Sequence, residues 1–346
     1  MVAISPPAKV LVTGANGYLA TWVLKKYLEA GYSVRGTVRS LSKSAFLNDK
    51  FAHYGDRFEI IVVEDITKDG AFDEAVKGVD TIAHTASPFH YKSTHPDDLI
   101  IPAVRGTTSI LNSALKHGST LKRVILTSSV AAVREHTTVP RVFNESNWND
   151  AAVERLKTKG SGAGPSTIYL ASKTLAEKAA WEFVAAHRPE ILWDLVVINP
   201  PLVFGPSLSP APTVDDINTS QREIYDTLTG ARTSAQLQAQ GNWVHVSVAS
   251  VAHVRATHAV GAGGQRIIVQ SGPFFFQDLL DSAAELGIPN VPRGEPGSTK
   301  GISFIINLET KKAEELLGLT TATPLKDAVA ESVEDFKARG YPGFTA

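Results

Sequence analysis

Tyr169 and Lys173 are the two side chains whose types and spacing best suit proton transfer. They stand four positions apart in the run Tyr-Leu-Ala-Ser-Lys. On a helix, this spacing places both side chains on one face, one turn apart. A phenol with its ordinary pKa of about 10 is a poor proton donor at neutral pH, but a neighbouring ammonium stabilises the phenolate and lowers that pKa. The pair therefore predicts a general acid. The alternative is an aromatic residue at the edge of the core and a surface charge.

The sequence around this pair predicts a helix. Pro165-Ser166-Thr167 offers an N-terminal cap, and Pro189 ends the pattern. Between them, apolar residues recur at helical spacing, namely Ile168, Leu170, Leu175, Ala176, Ala179, Ala180, Phe183 and Val184. Such a helix would hold Tyr169 and Lys173 in the relative position that proton donation requires.

A second group of residues, near the start of the chain, has the spacing of a phosphate-binding turn. The apolar run Val10-Leu11-Val12 is followed by Gly14 and Gly17, and then by a helical pattern that ends at Gly31. Gly14 permits a tight turn, Gly17 lets the backbone approach a pyrophosphate, and Ala20 takes the small third position. The N-terminus of the helix supplies N–H groups and a positive dipole. The order of strand, glycine turn and helix predicts dinucleotide binding rather than an ordinary tight loop.

Charges after the second predicted strand, residues 33–38, indicate which dinucleotide binds. NAD-binding folds carry an acid at the end of this strand, where this chain has Val38 and Arg39, with Lys43 nearby. Since a carboxylate repels a 2′-phosphate and a guanidinium binds it, these residues predict NADPH rather than NADH. The alternative is that both cations are solvated loop charges. Asp65, after the third strand, either accepts a hydrogen bond from adenine or caps the next helix.

Small and hydroxyl side chains follow two further predicted strands, residues 81–84 and 123–127. Thr85-Ala86-Ser87 follows the first strand, and Ser128-Ser129 follows the second. The carboxyl ends of parallel strands are where α/β sheets bind ligands. We therefore expect a flat cofactor to lie on the small residues and one serine hydroxyl to donate to a substrate carbonyl oxygen. His84 is expected to be a hydrogen-bonded structural residue.

The alternation of short apolar strands with amphipathic helices over the first 200 residues predicts an α/β fold with a Rossmann-type, doubly wound parallel sheet. Beyond residue 200 the elements shorten and the alternation is lost. We therefore expect a cofactor-binding domain of residues 1–200 and 242–262, and a smaller C-terminal α/β substrate lobe of residues 201–241 and 263–346. Beyond residue 200, isolated strands are predicted at 243–246, 266–269 and 302–305. Residues 134–166 are predicted to be a long polar surface connection.

Composition limits the classes of partner. The 346 residues carry a net charge of −1, which gives no electrostatic reason to expect nucleic acid or an anionic membrane as the partner. The absence of cysteine excludes disulfides, thiolate metal ligands and thiol catalysis, and no metal site is predicted. No apolar run is long enough to span a bilayer, and residues 1–10 lack the pattern of a signal peptide. We therefore expect a cytoplasmic monomer or homodimer that acts on a small molecule.

Three motifs, in this order, resemble the extended short-chain dehydrogenase/reductase superfamily: the Gly14/Gly17 turn, Thr127-Ser128-Ser129 and Tyr169-Leu170-Ala171-Ser172-Lys173. Further stretches resemble its dihydroflavonol-reductase-like branch, and most of all the fungal and yeast NADPH-dependent aldehyde and ketone (methylglyoxal) reductases: residues 34–40, 63–65, 102–107, 171–183 and 199–206. The resemblance implies NADPH-dependent reduction of a carbonyl to an alcohol, on methylglyoxal, aliphatic aldehydes, aryl ketones or ketoesters. Within the branch, the alternative is a dihydroflavonol or cinnamoyl-CoA type reductase.

The resemblance also implies a role for each residue that matches the motifs of the family. Ser129, Tyr169 and Lys173 match its catalytic triad, with Tyr169 as the proton donor, while Arg39 and Lys43 match its phosphate-recognising pair. The full predicted cofactor site is Gly14, Asn16, Gly17, Tyr18, Leu19, Arg39, Lys43, Asp65, Ile66, Thr85, Ala86, Ser87, Thr127, Tyr169, Lys173, Pro200 and Val203. The predicted substrate site, which we expect to be mostly apolar, is Phe89, Ser129, Val130, Phe204 and Tyr225.

Two functions of other kinds are compatible with the same sequence. A non-catalytic NADP(H)-sensing regulator would keep the glycine turn but commonly lacks the tyrosine and lysine pair, which this chain has. A sugar-nucleotide epimerase usually carries an Asn where this chain has Ala103, and it would favour NAD, against which Arg39 argues. The residues therefore favour the reductase.

Overall fold

The computed structural model describes residues 3–87, 95–320 and 323–344. Its strands are β1 (Lys9–Val12), β2 (Ser33–Val38), β3 (Phe58–Val62), β4 (Thr81–His84), β5 (Arg123–Thr127), β6 (Arg141–Phe143), β7 (Asp194–Asn199), β8 (Leu202–Phe204), β9 (Gln240–His245), β10 (Arg266–Ile268), β11 (Gly272–Phe275) and β12 (Ile306–Leu308). Its helices are α1 (Tyr18–Glu29), α2 (Ala45–Phe51), α3 (Asp97–His117), α4 (Asp150–Lys159), α5 (Pro165–Ala186), α6 (Thr219–Leu228), α7 (Ser234–Leu237), α8 (Val246–His258), α9 (Phe276–Glu285), α10 (Lys311–Leu317) and α11 (Leu325–Ala338). None of the helices in these ranges combines the length and the hydrophobicity that crossing a bilayer requires.

Seven parallel strands form the central sheet, in the order β10-β7-β5-β4-β1-β2-β3. The strand β7 shows how its two faces are covered, because successive side chains of a strand point to opposite faces. Leu195 and Val197 pack with α3 and α5, whereas Val196 and Ile198 pack with α8 and α10. A strand that is buried on both faces reads as a nearly continuous apolar run, as residues 195–198 do here. The predicted Rossmann-type, doubly wound parallel sheet is confirmed.

The strand predicted at residues 266–269 lies in the central sheet and not in the smaller lobe. It is β10, which pairs in parallel with β7 and places Arg266 opposite Val197. The prediction of an isolated strand here is wrong, and so is the domain boundary at residue 263. The βα alternation is not evident in the sequence because residues 200–245 are inserted between β7 and the helix α8. These residues lie outside the central sheet, and α8 then connects to β10.

The segment predicted as a polar surface connection, residues 134–166, contains the strand β6 and the helix α4. This helix buries Ala152 and Leu156 against Ala171 of α5, so the segment supports the helix that carries Tyr169 and Lys173. The strand β6 pairs in parallel with β12, which lies just beyond the strand predicted at 302–305.

The smaller lobe is built on a three-stranded sheet in the order β11-β9-β8, in which β11 is antiparallel and β8 parallel to β9. The helices α6, α9 and α11 pack around it. Its core is rich in aromatic residues, namely Phe204, Tyr225, Trp243, Phe274, Phe276, Phe336, Tyr341 and Phe344. Burial of such large rings gives this short-stranded lobe its stability.

Candidate active site

A cleft of about 1850 Å³ lies along the carboxyl ends of the central strands and continues beneath the smaller lobe. All of the residues predicted to bind the cofactor line it, namely Gly14, Asn16, Gly17, Tyr18, Leu19, Arg39, Lys43, Asp65, Ile66, Thr85, Ala86, Ser87, Thr127, Tyr169, Lys173, Pro200 and Val203. Ser129 and Val130 line it as well. The fold thus brings the three motifs to one cavity, and the contact of each residue with a ligand stays a prediction.

The turn between β1 and α1 has the geometry that a pyrophosphate requires. Gly14 has a φ of +63°, and a Cβ there would lie 3.2 Å from Ala86, so a larger residue would be strained and crowded. Gly17 is the N-cap of α1 and has no side chain with which to cap it. The first N–H groups of α1 have no partner within the helix, and its first turn carries no acidic residue. The residues present therefore fit a dinucleotide phosphate.

Arg39 and Lys43 line one end of the cleft, together with Asp65. The carboxylate Oδ1 of Asp65 accepts hydrogen bonds from the backbone N of Thr67 at 2.9 Å and from its hydroxyl at 2.6 Å. These bonds lower the pKa of Asp65, with smaller contributions from Lys68 and Arg39. Asp65 therefore stabilises the turn that follows β3. The expectation that it caps a helix is wrong, because residues 64–79 form turns and no helix begins there, while contact with adenine stays a prediction.

Tyr169 and Lys173 lie on α5, on one face and one turn apart, as their spacing predicts. The helix begins with Pro165, after the N-cap Gly164 rather than after a serine or threonine cap. Lys173 is half-buried, and its Nζ donates to Ser87 Oγ at 3.0 Å. Burial lowers the pKa of Lys173 to about 8, against an opposing effect of Glu177. The ammonium is therefore the prevailing form of Lys173 at neutral pH.

The two serines after β5 have different surroundings. Ser128 Oγ donates to the buried carboxylate of Glu177 at 2.6 Å. Ser129 Oγ accepts from Ala131 N at 3.1 Å and donates to Pro200 O at 3.3 Å. Because the bond to Pro200 is long, the Ser129 hydroxyl is the one of the two that can turn toward a substrate oxygen at little cost.

His84 is a hydrogen-bonded structural residue, as the sequence predicts. Its Nδ1 lies 2.9 Å from Thr13 Oγ1, and that hydroxyl also accepts from the backbone N of Thr85 and of Ala86. A hydroxyl that accepts twice donates its own proton to His84 Nδ1. Burial, and secondarily Lys173, lowers the pKa of His84 to about 3, so its imidazole is neutral.

Two residues predicted for the substrate wall lie elsewhere. Phe204 is fully buried in the aromatic core of the smaller lobe, where its ring stacks on Trp243. Tyr225 belongs to the same core, and its hydroxyl donates to Pro342 O at 2.9 Å. The prediction for these two residues is therefore wrong, because packing inside the lobe turns them away from the cleft. Phe89 lies outside the described residues.

The smaller lobe contributes polar residues to the cleft that sequence analysis missed. They are Asn218, Ser220, Glu223, Gln240 and Asn242. Their presence makes this wall more polar than expected. They belong to the N-cap and first turns of α6 and to the first half of β9, and no motif or periodicity sets them apart from ordinary polar residues.

The sequence profile of the NAD dependent epimerase/dehydratase family matches residues 10–269. The chain belongs to this family. The predicted membership of the extended short-chain dehydrogenase/reductase superfamily is confirmed, and so is the expectation of a nicotinamide-dependent oxidoreductase.

Several proteins to which the chain is similar are named reductases. Ketoreductase azaE of Aspergillus niger is 34% identical over 344 residues, which cover 94% of this chain and 98% of that protein. NADPH-dependent methylglyoxal reductase GRE2 of Saccharomyces cerevisiae is 35% identical over 323 residues, which cover 89% of this chain and 92% of that protein. The crystal structure of yeast methylglyoxal/isovaleraldehyde reductase Gre2 complexed with NADPH has a TM-score of 0.86 to this chain, at 33% identity, covering 96% of this chain and 99% of that one.

Proposed function

We propose that this protein is an NADPH-dependent carbonyl reductase, which reduces an aldehyde or ketone to an alcohol. The observation that carries the proposal is the meeting of Tyr169 and Lys173 with Ser129 in the cleft that also holds the β1–α1 turn. Arg39 and Lys43 in the same cleft support NADPH, as do the names of the reductases to which the chain is similar. Methylglyoxal, aliphatic aldehydes and aryl ketones are the substrates we expect.

In this proposal each site residue has one role in the reduction of the carbonyl. NADPH supplies the hydride when it is bound. The hydroxyl of Ser129 donates a hydrogen bond to the substrate carbonyl oxygen, where negative charge develops. Tyr169 gives its phenolic proton to the same oxygen. The ammonium of Lys173 stabilises the tyrosinate that is left, because an opposite charge nearby favours the ionised form.

Tyr169→Phe is the variant that tests this scheme. It should lower kcat by about 10²–10⁴-fold, which is the usual contribution of a general acid, while NADPH affinity stays within about twofold of the native value, since the phenyl ring retains its place. The control is Tyr54→Phe, which removes a hydroxyl outside the cleft and should change neither quantity. A Tyr169→Phe enzyme with the native rate would contradict Tyr169 as the proton donor.

The substrate class is tested by following the oxidation of NADPH and of NADH with methylglyoxal, an aliphatic aldehyde, an aryl ketone, a dihydroflavonol and cinnamoyl-CoA. Fastest turnover with the simple carbonyls and NADPH supports the proposal. Preference for one of the last two substrates would instead assign a dihydroflavonol or cinnamoyl-CoA type reductase. Binding of NADPH without reduction of any carbonyl would favour a regulator that senses the cofactor.

A further inference from the structure

Glu177 lies on α5 one turn beyond Lys173, and its side chain is fully buried. Its Oε2 accepts hydrogen bonds from Ser128 Oγ at 2.6 Å and from Asn199 Nδ2 at 2.8 Å. The same Asn199 Nδ2 donates to the backbone oxygen of Ser129 at 3.1 Å. One carboxylate oxygen thus connects the helix of the proton donor to the carboxyl ends of β5 and β7.

The other oxygen of the carboxylate, Oε1, pairs with Arg266 Nε on β10. Arg266 is itself fixed from the opposite side, because its Nη1 donates to the backbone oxygens of Glu145 and Asn147 at 2.8 and 2.6 Å. Its guanidinium also lies 3.7 Å from the ring centre of Trp148. The cation therefore holds Glu177 in one place, independently of the cleft.

The charge of Glu177 also acts on Lys173. Burial lowers the pKa of Lys173, and the carboxylate of Glu177 opposes that effect. The other groups that face these two side chains do not replace it: Arg266 is a cation, His84 is neutral, and Ser87 is an uncharged acceptor for Lys173 Nζ. Among the described residues, Glu177 is therefore the anion that favours the ammonium form of Lys173.

We propose that Glu177 is a positioning residue of this active site, which holds Ser128-Ser129 against α5 and places its negative charge one helical turn from Lys173. Glu177 does not line the cleft, so it acts through Ser129, Tyr169 and Lys173, which do. This inference rests on the proposed reductase function for its kinetic consequences. Its structural consequence, the charge state of Lys173, does not depend on turnover.

Glu177→Gln tests the proposal, because it removes the charge and preserves the shape of the side chain. With NADPH and an active carbonyl substrate, kcat should fall by about tenfold or more, and the high-pH decline of kcat should move to lower pH. In protein carrying ¹³Cε-labelled lysine, the titration midpoint of Lys173 should fall by about one pH unit from its value near 8. The Lys173 signal is the one that disappears in Lys173→Arg. The control is Glu182→Gln, on the exposed side of α5, which should leave both profiles unchanged.

An unchanged Lys173 midpoint and an unchanged pH profile in folded Glu177→Gln would overturn the proposal, even if its stability fell. Glu177→Asp should restore the midpoint in part, because it restores the charge. If Glu177→Gln does not fold, Ser128→Ala tests the other contact: kcat should fall while the Lys173 midpoint stays, and a native kcat would overturn the positioning of the serines. Should the native enzyme reduce no carbonyl, the proposed function fails, and the Lys173 titration still decides this inference.

Discussion

Cofactor choice in this protein depends on single residues, above all on Arg39, which lines the cleft just after β2. A guanidinium there can form two charge-assisted hydrogen bonds with a 2′-phosphate. Such a bond contributes about 1.5–3 kcal/mol, which corresponds to about ten- to a hundredfold in affinity. The hydroxyl that NADH has in that place would gain much less from the same cation.

Arg39→Ala should therefore lower the preference for NADPH over NADH by about ten- to a hundredfold, mostly through a higher KM for NADPH. The measurement is the ratio of kcat/KM for the two cofactors at one carbonyl concentration. Lys50→Ala, which removes an exposed cation of α2 outside the cleft, is the matched control and should keep the native ratio. A native ratio in Arg39→Ala would show that this residue is a solvated loop charge.

The site residues that sequence analysis placed correctly in the cleft belong to motifs of fixed local spacing. Gly14 and Gly17 determine a turn, and Tyr169 and Lys173 need only a helix to share a face. The residues that it misplaced or missed depend on tertiary contacts. The side chain of Phe204 packs in an aromatic core that no local sequence pattern indicates. Glu177 pairs with Arg266, which lies 89 positions away in the sequence.

At the scale of elements, Arg123 at the start of β5 joins three of them. Its guanidinium is fully buried and forms two hydrogen bonds with the carboxylate of Asp194 on β7, at 2.6 and 2.9 Å. Its Nη1 also donates to backbone oxygens at the C-terminus of α8, those of Ala256, Thr257 and Ala259. This single cation therefore satisfies the last carbonyls of α8 and fixes that helix to the sheet.

Arg123→Met should lower the free energy of unfolding by about 3–5 kcal/mol, because it leaves a carboxylate and several carbonyls without their partner. Urea unfolding at pH 7 measures the change. The exposed Arg188→Met should lie within about 0.5 kcal/mol of the native protein. The double variant Arg123→Met/Asp194→Leu should recover part of the loss, since the unpaired charge is gone. Equal losses for Arg123→Met and Arg188→Met would contradict this role.

The strand β10 was assigned wrongly from the sequence because of the way it is connected to the central sheet. A parallel strand is normally recognised by the helix that connects it to its neighbour in the chain. Here β7 and β10 are neighbours in the sheet, but residues 200–245 lie between β7 and the connecting helix α8. The pairing of β7 with β10 therefore became visible only in the folded structure.

At the scale of the whole molecule, the two lobes meet beside the N-terminal half of α1. Tyr18 Oη donates to Gly205 O at 2.9 Å, and Trp22 Nε1 donates to Pro206 O at 2.9 Å. Thr21 Oγ1 lies 2.8 Å from Ser209 Oγ. The helix expected to hold the pyrophosphate thus also anchors the chain segment that enters the smaller lobe, so that one element sets the position of both walls of the cleft.

Two buried histidines make the stability of the molecule depend on pH. Burial lowers the pKa of His253 to about 4, opposed by a hydrogen bond from its Nδ1 to Ala249 O, and the pKa of His84 is about 3. In the unfolded chain both have pKa values near 6.5. Between these values the unfolded state binds more protons than the native state. Stability is therefore lost as the pH falls below about 6.5.

The free energy of unfolding should accordingly fall by about 1.4 kcal/mol per pH unit for each of these histidines as the pH decreases from about 6 to 5, a range above the ordinary pKa of most carboxylates. Urea unfolding at half-unit intervals measures the slope. In His253→Asn the slope should decrease by about 1.4 kcal/mol per pH unit, whatever that variant costs at pH 7, because the proton of His253 is no longer taken up on unfolding. Replacement of the exposed His53 by Asn should leave the slope unchanged, since this histidine lies outside the core. A native slope in His253→Asn would mean that another group takes up the proton when the protein unfolds.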